Sequence, residues 1–377
     1  MRQVIAGARI FDGSRFQDGH ALVIEDDRIG AILPEAQAGA ATLTVEGILA
    51  PGFVDLQVNG GGGLWVDGDT DLAALRSLCA THRELGCAGI LPTLITNRPE
   101  ATAAVIAAGT EAARAGVPGF LGLHLEGPHL DPRRKGAHDP ALIRPMQPED
   151  LALLCDAARI LPTLMVTLAP ESVTPQQIAA LSGAGAIVSL GHTDCDYDTA
   201  RAAFEAGATC ATHLFNAMSQ LGHRSPGLVG AVLTGQPHAG LIADGIHVHP
   251  VAMQAALAAR PEGIFLVTDC MALAGTEATE MTLGNRRILR RDGSLRLEDG
   301  TLAGADLRMD RAIRTVIDLG IAPERALAMA TRIPADLIGA SCGRIEPGAR
   351  ADMILLDRQF ALNGIWDGAG FHPPTGA

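Results

Sequence analysis

The chain has 377 residues and a formal net charge of −13, so we expect no broad nucleic-acid-binding surface. No apolar run is long enough to span a bilayer, and the N-terminal residues lack the apolar core of a signal peptide. The seven cysteines are odd in number and form no CxxC pair, which favours a reducing cytoplasm over a disulfide framework. We therefore predict a cytoplasmic protein with no membrane or nucleic-acid partner, long enough for one large and one small domain.

The two ends of the chain have similar patterns. Residues 1–50 contain short β-rich runs separated by Asp-Gly and polar turns, and residues 343–357 again alternate strand, turn and strand. Such short runs cannot bury a core alone. We predict that residues 1–50 and 336–377 together form a small β-sandwich domain.

Between the ends, short apolar strands alternate with helical stretches rich in Ala and Leu. The predicted strands are residues 53–60, 89–96, 120–127, 163–169, 186–193, 209–215, 240–245 and 264–269. The predicted helices are residues 70–86, 99–115, 148–158, 175–184, 197–206 and 250–259. Strands that alternate with helices imply parallel pairing, and eight such units fit a (β/α)8 barrel of the TIM type over residues 51–335. An open doubly wound sheet is the alternative, but NGGGG at 59–63 does not match its phosphate-binding turn.

Residues 281–305 interrupt this alternation. Asp292-Gly293 and Asp299-Gly300 are typical of hairpin turns, so we predict a β-flap inserted after the eighth strand. Two helices, at residues 306–319 and 323–332, are predicted to follow it.

Several predicted strands end in a residue that could bind a metal or move a proton. Glu126 ends strand three, His192 strand five, His213 strand six and Asp269 strand eight. A single such histidine is more often a hydrogen-bonded core residue. In a (β/α)8 barrel, however, all four lie at the carboxyl-terminal mouth. Two His and one Glu, with a position left for water, are typical of a catalytic zinc site.

A set of motifs carries a resemblance to known enzymes. In chain order they are PGFVDLQVNG, HLEGP, KGAHDP, GHT, THLFNAM, RSPGL, ADGIHVHP, LVTD and TLAGA. Their order and spacing resemble the amidohydrolase superfamily and, within it, its amino-sugar-phosphate deacetylases. The resemblance implies metal-dependent hydrolysis of N-acetylglucosamine 6-phosphate to glucosamine 6-phosphate and acetate.

The resemblance also implies roles for the residues of the mouth. Glu126, His192 and His213 match the metal ligands, Asp269 matches the catalytic acid–base, and His138 matches a residue that contacts the acyl and sugar groups. Ala137 shares that position with His138. The positions that hold the sugar phosphate are Asn216, Ala217, Arg224 and His247. The segment that lines the sugar is Leu302, Ala303 and Gly304.

One departure concerns the metal count. Many superfamily members carry His-x-His at the end of strand one and hold two metals, whereas this chain has Gln57 and Asn59 there. Amides are poor zinc ligands, so we expect one tightly bound divalent ion, zinc. The resemblance further implies a homodimer in which the neighbouring chain adds a phosphate ligand.

Three other interpretations stay open. The substrate could be another amino-sugar phosphate, such as N-acetylgalactosamine 6-phosphate. The chain could instead deacylate N-acyl amino acids, which would leave Arg224 and His247 without a phosphate. A non-catalytic assembly protein built on the same fold is the third, although such proteins usually lose metal ligands.

Overall fold

The computed structural model describes residues 2–283 and 286–374, and eight parallel strands form its largest sheet. We number them β1–β8: Phe53–Val58, Cys87–Ile95, Leu123–Glu126, Leu164–Leu168, Ile187–Leu190, Cys210–Ala211, His238–Leu241 and Ile264–Leu266. The strands pair in sequence order, and the ring closes where Asp269 donates its backbone N–H to the Gln57 carbonyl and Asn59 donates to Cys270. Because all eight strands are parallel, their carboxyl ends open at one mouth.

Helices cover the outer surface of this barrel. We number them α1–α8: Leu72–Glu84, Pro99–Arg114, Pro148–Ile160, Pro175–Gly183, Tyr197–Glu205, Gly227–Thr234, Pro250–Ala259 and Met309–Asp318. Four of them begin at a proline, which suits the first helical turn because its missing N–H would have no partner there. Pro323–Ala330 and Arg332–Ile338 follow α8, while Glu35–Ala38 and the 3-10 turn Pro132–Arg134 lie in loops. Within the described ranges, no helix is both long and apolar enough to cross a bilayer.

Both chain ends contribute to a two-sheet sandwich. One sheet has the order Arg28–Pro34, His20–Glu25, Arg2–Ala6 and Leu43–Thr44. The other has the order Phe371–His372, Leu362–Trp366, Met353–Leu356, Ile48–Pro51, Arg9–Phe11 and Phe16–Gln17. Ile5, Ile10, Leu22, Leu49 and Trp366 pack in one buried cluster between them. The prediction of a barrel with a β-sandwich built from both ends is therefore confirmed, while the exact domain limits stay a prediction.

The β-flap lies where the sequence interrupts the barrel pattern. Its four antiparallel strands are Glu280–Leu283, Arg286–Arg291, Ser294–Leu297 and Leu302–Ala305, and the predicted turn at Asp292-Gly293 joins the middle pair. Gly284 and Asn285 lie outside the described residues. Ile288, Leu295 and Ala303 form a small core with Trp65 and Ala137, so the flap packs on the loops of the mouth.

Three element predictions differ from the structure, each for a physical reason. Helix α6 was not predicted because GLVGAVLT is apolar on every side and lacks helical periodicity. Arg332–Ile338 extends beyond the helix predicted at residues 323–332, and its Pro334 lies in the first helical turn, where proline is tolerated. Strand β6 is only Cys210–Ala211, since the chain turns through positive φ angles at His213 and Phe215.

Candidate metal centre

Three ligand atoms converge at the barrel mouth. Glu126 ends β3, while His192 and His213 each lie two residues beyond β5 and β6. Glu126 Oε1 is 3.2 Å from His192 Nε2 and 3.0 Å from His213 Nε2, and the two ring nitrogens are 3.1 Å apart. All three side chains are buried, and among the described residues they form the group able to hold a metal ion. Donor atoms around a tetrahedral zinc with ~2.0 Å bonds are about 3.3 Å apart, so the spacing fits one ion.

The backbone aims these side chains by an unusual conformation. His192, His213 and Asp269 have φ angles of 47°, 30° and 49°. Positive φ is uncommon outside glycine, costs roughly 1–3 kcal/mol and is concentrated at functional sites. His192 and His213 lie two residues, and Asp269 three residues, beyond the strand that precedes them, and the turn there directs each side chain to the mouth.

Hydrogen bonds prepare His192 to bind a cation. Its Nδ1 lies 2.8 Å from the carbonyl oxygen of Arg134. A carbonyl only accepts, so Nδ1 carries the hydrogen and Nε2 keeps a lone pair directed at the cluster. The donor set therefore fits a single divalent metal ion.

The charges within the cluster also favour the binding of a cation. Burial alone would raise the pKa of Glu126, but the neighbouring rings of His192 and His213 hold that pKa well below its usual value. Burial likewise opposes charge on His213, yet the carboxylate of Glu126 raises its pKa. The buried carboxylate thus requires positive charge beside it, and either a proton or a metal ion can supply that charge.

The amides at the end of β1 orient the two carboxylates. Gln57 Nε2 donates to Glu126 Oε1 at 3.1 Å, and Asn59 Nδ2 donates to Asp269 Oδ1 at 2.7 Å. Both amides face the mouth, as their shared strand parity predicts. The sequence showed that they are poor ligands but did not reveal this orienting role.

Asp269 lies beside the cluster at the end of β8. Burial, together with the charge of Glu126, raises the pKa of its carboxyl to about 6. Ala305 donates its backbone N–H to the Asp269 carbonyl, which brings the flap strand Leu302–Ala305 to the mouth. At Gly304, with a φ of 76°, an added Cβ would lie 3.0 Å from the Asp269 carbonyl oxygen. The segment Leu302, Ala303 and Gly304 thus lies next to Asp269, with Ala303 buried and the other two half-buried.

His138 faces the cluster from the loop after β3. Its Nε2 is 3.9 Å from Glu126 Oε2, and its ring centroid is 4.3 Å from that of His192. Thr96 donates its backbone N–H to His138 Nδ1, so the ring hydrogen lies on Nε2 and points into the mouth. Burial and the neighbouring His192 lower the pKa of His138 well below its usual value, which keeps the ring neutral.

A polar layer supports the cluster from inside the barrel. His124 Nδ1 donates to the Leu56 carbonyl at 3.1 Å, and its Nε2 accepts from Thr167 Oγ1 at 2.7 Å. Thr212 links the Thr167 and Ser189 hydroxyls, each at 2.6 Å. Burial lowers the pKa of His124 to about 4, so this ring is neutral and serves as a hydrogen-bonded core residue.

The predicted phosphate-binding residues lie at three places around the mouth. Asn216 and Ala217 lie in the turn after His213: Asn216 N–H donates to the His213 carbonyl, and the Ala217 carbonyl accepts from Thr193 N–H. His247 follows β7 with its Nδ1 2.6 Å from Asp244 Oδ2, and its buried Nε2 has no partner among the described residues. Arg224 is exposed in the loop between β6 and α6, and the described ranges offer its guanidinium no hydrogen bond or ion pair.

Fold and site together define a metal-dependent hydrolase built on a (β/α)8 barrel. The chain belongs to the amidohydrolase family, whose sequence profile matches residues 48–370. It is 41% identical to an N-acetylgalactosamine-6-phosphate deacetylase of Shewanella sp. (strain ANA-3), covering 85% of this chain and 82% of that protein. It is 33% identical to an N-acetylglucosamine-6-phosphate deacetylase of Haemophilus influenzae, covering 92% of this chain and 94% of the relative.

A solved structure extends the likeness to three dimensions. The crystal structure of N-acetylglucosamine-6-phosphate deacetylase from Pasteurella multocida superposes with a TM-score of 0.93 at 33% sequence identity. The match covers 99% of this chain and 100% of that one. The barrel, the sandwich and the flap therefore all lie within the part of the chain that superposes on this deacetylase structure.

Proposed function

We propose that this chain hydrolyses the N-acetyl group of N-acetylglucosamine 6-phosphate, giving glucosamine 6-phosphate and acetate. The observation that carries the proposal is the buried cluster of Glu126, His192 and His213, which faces both Asp269 and His138. The relatives named as amino-sugar-phosphate deacetylases support the substrate class. The ion proposed for the cluster is one zinc per chain.

Zinc, when bound, supplies the Lewis acidity that lowers the pKa of a water molecule and polarises the substrate amide. Asp269 moves the protons. Asn59 holds its Oδ1, so Oδ2 takes the proton of the attacking water and then returns it to the nitrogen of the leaving amine. A carboxyl with a pKa of about 6 is ionised at neutral pH yet basic enough to accept that proton.

His138 has a separate role in this scheme. Its neutral ring directs Nε2–H towards the mouth, where it donates to the amide oxygen as negative charge develops. The hydroxyl of Thr96, 2.7 Å from Nδ1, keeps the ring in this orientation. His138 therefore acts as a fixed donor to the oxyanion and moves no proton.

The remaining predicted residues would bind the sugar phosphate. Asn216, the backbone near Ala217, His247 and Arg224 offer the hydrogen-bond donors that a phosphate requires. Ala137 and the segment Leu302 to Gly304 would contact the sugar ring. Because the chain is acidic overall, local donors must supply the binding energy for a dianion.

N-acetylgalactosamine 6-phosphate is a second candidate substrate. The observation that favours it is the 41% identity with the Shewanella deacetylase named for that sugar. The two sugars differ in the orientation of the hydroxyl at C4. Neither the metal cluster nor the phosphate ligands would distinguish them.

A substrate panel tests both candidates. Acetate release is measured from N-acetylglucosamine and N-acetylgalactosamine, each with and without 6-phosphate, and from an N-acetyl amino acid. The Asp269→Asn variant is the background control. The proposal expects the highest kcat/KM for a 6-phosphorylated sugar, and faster turnover of the galactose isomer would select the second candidate. Preference for the amino acid, or acetate release no faster than the control, would overturn the assignment.

We also propose that the chain acts as a cytoplasmic homodimer in which each chain adds a phosphate ligand to its neighbour's site. The resemblance to the amino-sugar-phosphate deacetylases is what supports this arrangement. Light scattering coupled to gel filtration should give twice the mass of one chain. A monomer with full activity would contradict this arrangement.

A further inference from the structure

Four loops of the mouth are bonded to one another around His192. Asp131, after β3, donates its backbone N–H to the His192 carbonyl at 2.9 Å. Arg134, from the same loop, accepts from His192 Nδ1 at 2.8 Å. On the other side, Thr193 donates its N–H to Ala217, which follows β6. Hydrogen bonds from the loop after β3 and to the loop after β6 therefore hold His192 and the residue that follows it.

Glu171, in the loop after β4, accepts hydrogen bonds from the two residues that follow His192. Its Oε2 accepts from Thr193 Oγ1 at 2.6 Å, and its Oε1 accepts from the Asp194 backbone N–H at 3.0 Å. The Asp194 carboxylate in turn pairs with the Arg134 guanidinium at 2.6 Å. One carboxylate thus fixes the turn that begins at His192 and connects it to the loop that orients its ring.

The relative weight of these contacts follows from burial. The Arg133 side chain is 60% exposed, so its ion pairs with Asp131, Glu171 and Asp194 contribute little to the stability of the turn. Thr193 is fully buried, and Glu171 bonds to its hydroxyl through a charged oxygen, which strengthens the bond. Removing Glu171 would also release the turn whose φ of 47° is unfavourable for histidine. Glu171 is an exposed residue whose side chain is 25% accessible, so its contacts support this turn together with the backbone hydrogen bonds from Asp131 and to Ala217.

We propose that Glu171 is a positioning residue that keeps His192 in its left-handed turn, so that Nε2 meets the metal ion together with Glu126 and His213. This inference rests on the proposed function only in assuming that the cluster holds a metal ion. Groups that orient metal ligands typically contribute a factor of about 10–100 in metal affinity. Glu171 touches neither substrate nor metal in this scheme, so its loss acts through His192 alone.

Zinc affinity of the metal-free chain tests the proposal directly. Competition with a chromophoric chelator should show zinc binding weakened about 10–100-fold in Glu171→Ala. Glu171→Gln keeps one acceptor oxygen for the Asp194 N–H and should recover part of the loss. Glu111→Ala, an exposed carboxylate on α2, is the matched control and should leave affinity unchanged. Equal zinc affinity in wild type and folded Glu171→Ala would overturn the proposal.

Two further measurements separate this role from others. At saturating zinc, Glu171→Ala should regain most of its kcat with an unchanged KM, which a catalytic group would not do. If Glu171→Ala fails to fold, Thr193→Val removes one bond to the same carboxylate and should still weaken zinc binding severalfold; unchanged affinity there would equally refute the proposal. Absence of deacetylation in wild type would refute the proposed function while leaving the affinity result intact.

Discussion

The two halves of the barrel mouth are built in opposite ways. In the metal half, Glu126, His192 and His213 are buried, and each lies within hydrogen-bond distance of another ligand. In the phosphate half, Arg224 is exposed, and His247 keeps a buried Nε2 without a partner in the part of the chain that the structure describes. The ligand atoms of the metal half therefore lie close together on buried side chains, while the phosphate half has donors that no described protein group accepts. The reaction requires catalytic groups that are held in fixed positions around the amide. The phosphate-binding donors, in contrast, can find their hydrogen-bond partners when the substrate binds.

Removal of the metal should have the largest effect because the proposed reaction depends on the ion that the metal half would hold. Dialysis against a strong chelator should reduce acetate release to background, and one equivalent of zinc per chain should restore it. The thermal midpoint should fall by several degrees, since an ion that binds only the folded state stabilises it. Elemental analysis should find about one ion per chain by the ligand count. Two tightly held ions would contradict the reading of Gln57 and Asn59.

Asp269→Asn comes next in expected size. The amide keeps the shape of the side chain but cannot accept a proton, so kcat should fall about a hundredfold or more. Metal content should stay at the wild-type value, because Asp269 lies beside the ligand set and not in it. A variant that lost its zinc and recovered activity on zinc addition would identify Asp269 as a ligand.

Arg224→Ala tests the other half of the mouth. Loss of one charged hydrogen-bonded contact, roughly 1.5–3 kcal/mol, should lower kcat/KM for the phosphorylated sugar about ten- to a hundredfold. The kcat/KM for the unphosphorylated sugar should change little. The ratio of the two kcat/KM values should therefore fall by the same factor. Arg159→Ala, an exposed arginine paired with Asp156 on α3, is the matched control. An equal fall for both sugars would place Arg224 outside phosphate recognition.

Arg286→Ala should have the smallest effect on kcat/KM, and this effect should come from the metal half of the mouth. Arg286 Nη2 donates to the Ala137 carbonyl at 2.8 Å and so connects the flap to the loop of His138. Its loss should reduce kcat/KM about tenfold, the lower bound for a charged hydrogen bond, and equally for both sugars. Arg287→Ala, whose side chain pairs with Glu280 on the flap surface, should have no comparable effect. A loss confined to the phosphorylated sugar would move Arg286 to the phosphate half.

Much of the metal half could be predicted from the sequence because it follows from strand position. Glu126, His192, His213 and Asp269 were identified by their location at strand ends, and the structure brings them to one mouth. Their catalytic and binding roles stay predictions. Gln57 and Asn59 were found by parity, but the carboxylates that they orient became visible only in three dimensions.

Other features of the site leave no trace in a single sequence. The positive φ angle of His192 occurs in a turn that contacts among four loops support, and no local sequence signal marks it. The partner of His192 Nδ1 is a backbone carbonyl, which carries no residue signature. Glu171 stands in the loop TLAPES, where nothing marks it as the partner of a turn more than twenty positions away. The exposure of Arg224 likewise depends on how its loop folds.

The sheet that joins the two chain ends has a consequence for biosynthesis. Strand Ile48–Pro51 runs directly into the barrel, and its neighbour Met353–Leu356 lies about 300 residues later. At ~5–20 residues per second, a ribosome needs roughly 15–60 s to supply that neighbour. During this interval the N-terminal strands have an open hydrogen-bonding edge, the kind of surface that pairs with other chains. Nascent chains should therefore be most prone to aggregation, and most dependent on chaperones, after the barrel strands emerge and before the strand Met353–Leu356 does.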